Sequence, residues 1–170
     1  TDKDILRALA NSPNVALVVQ KEDFLRPDTK QFSGVNKKAL RAHYDALTCS
    51  FERPHFAGVL RDVSTSLDPT MDSIRCLGNV NREKSPAHPR MHNKFLIFCE
   101  SRSVEPVDNY ESTTITPKSV WTGSFNFSDT ATKSFENAVH ISDLDIANSF
   151  FGEWQQIYAL SEPLDWEQHY

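Results

Sequence analysis

Met91-His92-Asn93-Lys94-Phe95-Leu96-Ile97-Phe98 is the stretch on which the reading of the fold turns. Beyond Lys94 both alternating sets of positions are apolar, Leu96 and Phe98 on one side, Phe95 and Ile97 on the other. That pattern predicts a strand from Met91 to Cys99 in a sheet interior. Residues i and i+2 of a strand point the same way, so the His92 imidazole and the Lys94 ammonium would project together. About thirty residues later comes Gly123-Ser124-Phe125-Asn126, a turn of small residues that can bring neutral donors to the same spot. A nucleophile beside a fixed cation and neutral donors is what attack on a phosphate ester needs.

Outward from this stretch, strands and helices alternate. A short helix is expected near Asp2–Ala10 and a covered strand over Asn14–Gln20, followed by a loop with Pro27 and Gly34. A helix is expected over Asn36–Thr48, with Leu40, Tyr44 and Leu47 at helical spacing. Phe56–Leu60 reads as a strand or an irregular connection, and Ser73–Gly78 as a strand. Pro86 and Pro89 make Asn79–Arg90 a loop. Residues 100–117 are polar and Ser/Thr-rich and read as a mobile loop excursion. Val120-Trp121 is a short strand into the Gly-Ser-x-Asn turn, followed by a short helix near Asp129–Lys133 and a strand over Glu136–Ile141. The last helix has Ser142 as its expected cap and an apolar stripe of Leu144, Ala147, Phe151, Trp154 and Tyr158. The expected fold is a single α/β domain over residues 1–170, with a mixed, mostly parallel sheet sandwiched between helices.

The 170 residues, 39% hydrophobic and 24% charged, suit one soluble globular domain, and no run approaches the ~20 apolar residues of a membrane span. Thr1-Asp2-Lys3-Asp4 has neither the basic flank nor the apolar core of a signal peptide, and without an initiator Met the start can be a processed one. Cys49, Cys76 and Cys99 cannot all pair and form no C-x-x-C, so they read as reduced thiols of a cytoplasmic protein. The net charge of −5 is unevenly spread. Ser73–Lys94 carries Arg75, Arg82, Lys84, Arg90 and Lys94 against Glu83 alone, whereas Phe135–Tyr170 has seven carboxylates and no Lys or Arg. A basic approach on an acidic protein suits an anionic substrate held locally.

His92-Asn93-Lys94 followed by Gly123-Ser124-Phe125-Asn126, with Glu136 ten residues beyond, resembles the phospholipase D superfamily. The likeness spans roughly Arg75–Tyr158 and is strongest over Met91–Ile141. One departure is plain: Cys99, followed by Glu100, stands where the family has an Asp five residues after the Lys. The resemblance implies a phosphohistidine mechanism needing two imidazoles, one attacking phosphorus and one protonating the leaving oxygen. With one motif per chain, it implies a two-fold homodimer in which His92 of each subunit meets its mate. Lys94, Ser124 and Asn126 would hold the phosphate oxygens, and Glu136 would support an imidazole N–H. No metal or other cofactor is needed when lysines supply the charge. His88 and His92 have i, i+4 spacing, but Pro89 breaks the helix that would align them on zinc.

Small single-motif members of that family are mostly nucleases, so the expected substrate is DNA or RNA cut with little specificity. Arg75, Arg82, Lys84, Arg90 and Gly123 would line the approach to its phosphate backbone. The other readings are a lipid phosphodiesterase and a catalytically idle nucleic-acid-binding or dimerisation module; on any of the three the chain can be part of a larger protein or assembly.

Overall fold

In the computed structural model, residues 2–21, 41–51, 71–78, 90–107 and 110–166 are described. In chain order the elements are α1 (Lys3–Ala10), β1 (Leu17–Gln20), β2 (Ile74–Leu77), β3 (Phe95–Val107), β4 (Tyr110–Gly123), a 3-10 turn (Ala131–Lys133), β5 (Ala138–Ile141), α2 (Leu144–Leu160) and β6 (Glu162–Pro163). Residues 41–45 are also helical. The loop with Pro27 and Gly34, the Phe56–Leu60 region, Arg82, Lys84 and most of the Asn79–Arg90 loop lie outside the described residues. The chain divides into two compact units, one of Thr1–Asp2, Ser50–Met71 and Asn93–Ala159, the other of Lys3–Cys49, Asp72–His92 and Leu160–Tyr170.

In the second of these units β1 pairs with β2 in parallel from Leu17↔Ile74 to Gln20↔Leu77, and β6 adds antiparallel to β2. Leu6 of α1, Val19, Tyr44, Leu47, Cys76 and Trp166 form its buried core, with Leu9, Val15, Leu17 and Ile74 packed around them. Of the run before Gln20 only Val19 is buried, Val15 to Val18 being half-buried, and only Leu17–Gln20 is laddered. Tyr44 and Trp166 meet with ring centroids 6.0 Å apart, so Trp166 is a core residue.

The other unit is built on an antiparallel sheet in the order β3-β4-β5. Residues 100–107 and 110–117, expected within a loop, instead continue the β3–β4 ladder. Only residues 108 and 109 separate the two strands, and so short a connection permits antiparallel pairing alone. Lys118 and Glu100 form an ion pair across this hairpin at 2.9 Å. β3 therefore begins at Phe95 rather than Met91 and is an edge of the described sheet, with β4 at its centre. Phe98 is half exposed in consequence, at 51%.

The expected mostly parallel sheet sandwiched between helices is thus corrected. The described strands form two three-stranded sheets, one mixed and one antiparallel, and β1–β2 is the only parallel pair among them. Apolar alternation reports which strands are covered; it does not report the direction of a neighbour.

α2 buries Ala147, Phe151, Gln155 and Tyr158, and Trp154 stacks on Phe151 at 5.6 Å. Phe150 meets Phe95 of β3 edge-on at 5.3 Å. Leu144, expected in the buried stripe, is exposed. The cap is also one residue later than expected: Asp143, not Ser142, accepts the N–H groups of Asp145 at 3.0 Å and Ile146 at 2.9 Å. Among the described residues no helix is long and apolar enough to cross a membrane.

Candidate active site

β4 ends and β5 begins at the paired residues Gly123 and Ala138, and the Gly-Ser-x-Asn turn leaves the sheet there. A side chain on Gly123 would put Cβ 2.1 Å from the Asn137 carbonyl oxygen and 2.8 Å from Ala138 Cα. The glycine is required by this close approach of two backbones. Because the strands come so near, Ser124 and Asn137 lock together. The Ser124 N–H is shared between the Asn137 carbonyl at 3.0 Å and its Oδ1 at 3.1 Å, and the Asn137 N–H donates to Ser124 Oγ at 3.1 Å. Ser124 Oγ in turn donates to the Glu136 carboxylate.

Trp121, two residues before Gly123, packs against the turn and the residue after it. Its ring meets Phe125 at 6.1 Å and Phe127 at 5.5 Å. Asn126 is exposed, and its carbonyl accepts the Ser128 N–H at 2.7 Å.

Lys94 immediately precedes β3. The Thr122 hydroxyl donates to its carbonyl at 2.9 Å, fixing the backbone next to the Phe95↔Thr122 pair. The side chain is half-buried. Loss of water holds its pKa below the ordinary 10.5, and the Glu136 carboxylate works in the opposite sense by favouring the cation. Three predicted site residues, Lys94, Ser124 and Glu136, therefore converge on one end of the antiparallel sheet from positions up to forty-two apart in sequence. Chemically they make a cation with a nearby carboxylate, and a hydroxyl oriented by that same carboxylate.

Asn93, between His92 and Lys94, donates from Nδ2 to Glu153 of α2 at 3.3 Å. His92 itself is exposed and belongs to the other compact unit, outside any regular strand. There Gln20 Oε1 accepts the N–H of the preceding Met91 at 2.8 Å.

The basic residues fare differently. Arg75, expected at the substrate, is committed within its own unit. Nε donates to Ser161 Oγ at 2.8 Å, one terminal nitrogen to the Ser161 carbonyl at 2.6 Å, and the other pairs with Asp72. A guanidinium so engaged serves the fold. Arg90 is exposed. Asn137 and Gln20 are the two contributors that sequence reasoning did not single out. Neither belongs to a motif, and only the close pairing of distant segments gives them a role.

No family model matches the chain, and no solved structure matches it. It is similar to an uncharacterized protein of Acanthamoeba polyphaga mimivirus, 27% identical over 179 residues, which takes in 98% of this chain. The chain spans 58% of that relative's length.

Proposed function

We propose that this chain is a metal-independent phosphodiesterase of the phospholipase D type, cutting nucleic acid with little sequence preference. The observation that carries the reading is the convergence of Lys94, Ser124 and Glu136, with the Gly-Ser-x-Asn turn pinned by Gly123 and Asn137. The fold class lends it no support.

The chemistry proceeds in two displacements. His92 forms an N–P bond to the diester phosphorus while the P–O bond to the leaving group breaks. His92 of a second copy gives that oxygen its proton, then takes one from water, whose oxygen displaces the first imidazole. Lys94 carries positive charge against the non-bridging oxygens, and Asn126 offers them an exposed carboxamide. Glu136 orients Ser124 and favours the cationic form of Lys94. Phosphate-backbone recognition makes nucleic acid the favoured diester, and the three free thiols suit a reducing, cytoplasmic setting.

A second reading, a catalytically idle binding or dimerisation module, is favoured by one observation. Ser124 Oγ already donates to Glu136 and accepts from Asn137, so its proton is engaged within the turn.

Mixing the protein with oligonucleotides, plasmid or phosphatidylcholine vesicles in the presence of chelator separates these readings. An acid-labile, base-stable phosphoryl group on His92, lost in His92→Ala, is the expected result. Turnover that the chelator abolishes, or an active species that sediments as a monomer, would sink the metal-free, shared-site mechanism.

A further inference from the structure

We propose that Gln20 is a positioning residue for His92, holding the backbone one residue before the imidazole; this rests on the reading of His92 as nucleophile. Gln20 is the last residue of β1, paired with Leu77, and only 8% of it is exposed. A buried carboxamide must find partners for its oxygen and its nitrogen. Its oxygen has one, the Met91 N–H at 2.8 Å. Its Nε2 has none among the described residues. A methionine would fill nearly the same volume without an unpaired donor of its own, so the carboxamide is not explained by packing. What it supplies and methionine cannot is a rigid acceptor on a laddered strand, fixed on the chain that leads into His92.

Gly78 keeps that acceptor in place. It follows Leu77, the β2 partner of Gln20, and adopts φ +103°, a conformation that side chains disfavour. A Cβ there would stand 2.9 Å from both Nε2 and Oε1 of Gln20. The end of β1, the end of β2 and the approach to His92 thus meet at a single carboxamide. With Met91 anchored, the imidazole samples fewer positions, and a nucleophile that must approach phosphorus in line benefits directly.

The test compares wild type with Gln20→Met, Gln20→Glu and Gly78→Ala, reading Met91 amide exchange, melting temperature and single-turnover phosphorylation of His92 on a short oligonucleotide. Gln20→Met should leave the melting temperature nearly unchanged, speed Met91 exchange about tenfold or more, and lower kcat about 10- to 100-fold with KM little altered. Gln20→Glu retains an acceptor oxygen and should recover most of both. Gly78→Ala, which displaces the carboxamide without deleting it, should repeat the kcat loss with a lower melting temperature. Unchanged Met91 exchange in Gln20→Met overturns the proposal, as does faster exchange with unaltered kcat. If wild type never phosphorylates His92, the phosphodiesterase reading fails, and Met91 exchange alone then decides whether Gln20 fixes this segment.

Discussion

Ser124 Oγ donates to the Glu136 carboxylate while accepting the N–H of Asn137, so one hydroxyl ties the end of β4 to the start of β5. The serine of the Gly-Ser-x-Asn turn is thereby a strut for the acid as much as a donor to a substrate. Glu136 is set by that strut at a range from which its charge acts on Lys94.

Two groups that act as one unit should not lose function independently. Ser124→Ala and Glu136→Ala should each slow turnover, and the double variant should be little slower than the worse single one. The coupling energy expected for residues in direct contact is about 0.5–3 kcal/mol. A double-mutant cycle on kcat/KM measures it, and strict additivity would mean the hydrogen bond has no part in the chemistry.

Gly123→Ala tests the close approach. Its Cβ would fall 2.1 Å from a backbone oxygen, which no side-chain rotation relieves. The strands must part, at a cost of about 1–3 kcal/mol in denaturant midpoint analysis, comparable to overpacking a core. Activity should fall further than stability, because Ser124 and Glu136 move with the strands.

The elements readable in the sequence were those whose own residues dictate them. Leu17–Gln20, Ile74–Leu77 and the α2 stripe carry their periodicity openly, and Gly123-Ser124 announces a turn by composition. The hairpin over 100–117 was illegible because its pairs, such as Arg102↔Thr114 and Ser101↔Ile115, bond through backbone and need no apolar face. Sheet direction was illegible for a related reason: β2 pairs parallel to β1 through four residues and antiparallel to β6 through two of the same four, Arg75 and Cys76. Within the site, Lys94 and Ser124 were visible through their motifs and Glu136 through the family resemblance, whereas Asn137 acts mainly through its backbone and Gln20 lies seventy-one residues from its partner. Arg75 shows the opposite failure, since a cation in a basic run looks the same whether it meets a substrate or Asp72 and Ser161.

The cap of α2 gives a direct stability test. Asp143→Ala removes an acceptor for two first-turn N–H groups and should cost about 1 kcal/mol. Ser142→Ala should be close to neutral in the same thermal unfolding measurement. The reverse order would restore Ser142 as the cap.

Cys76 predicts a stability loss in alkali. Burial, with the Glu162 charge adding to it, pushes the thiol up to about 11 from 9.0. A raised folded pKa means the neutral thiol contributes its full stability below pH 9.0, and that contribution disappears as pH climbs through about 11. Wild type should therefore lose more stability across this window than Cys76→Ala, measured by urea unfolding at each pH.

Lys94 carries the pH dependence of the proposed reaction, and Glu136 sets where it falls. Desolvation already holds the ammonium below 10.5, and the carboxylate resists that fall by favouring the cation. The working form is the protonated one, present below the folded pKa and lost above it. Glu136→Gln keeps the shape and a hydrogen-bond acceptor for Ser124 but deletes the charge, removing that support for the cation. The Lys94 pKa must then drop further, so the alkaline limb of the kcat/KM profile should move to lower pH. Lys94→Arg, whose guanidinium stays charged throughout, should remove that limb while retaining part of the rate. An alkaline limb that stays in place in both variants would show that a group other than Lys94 titrates there.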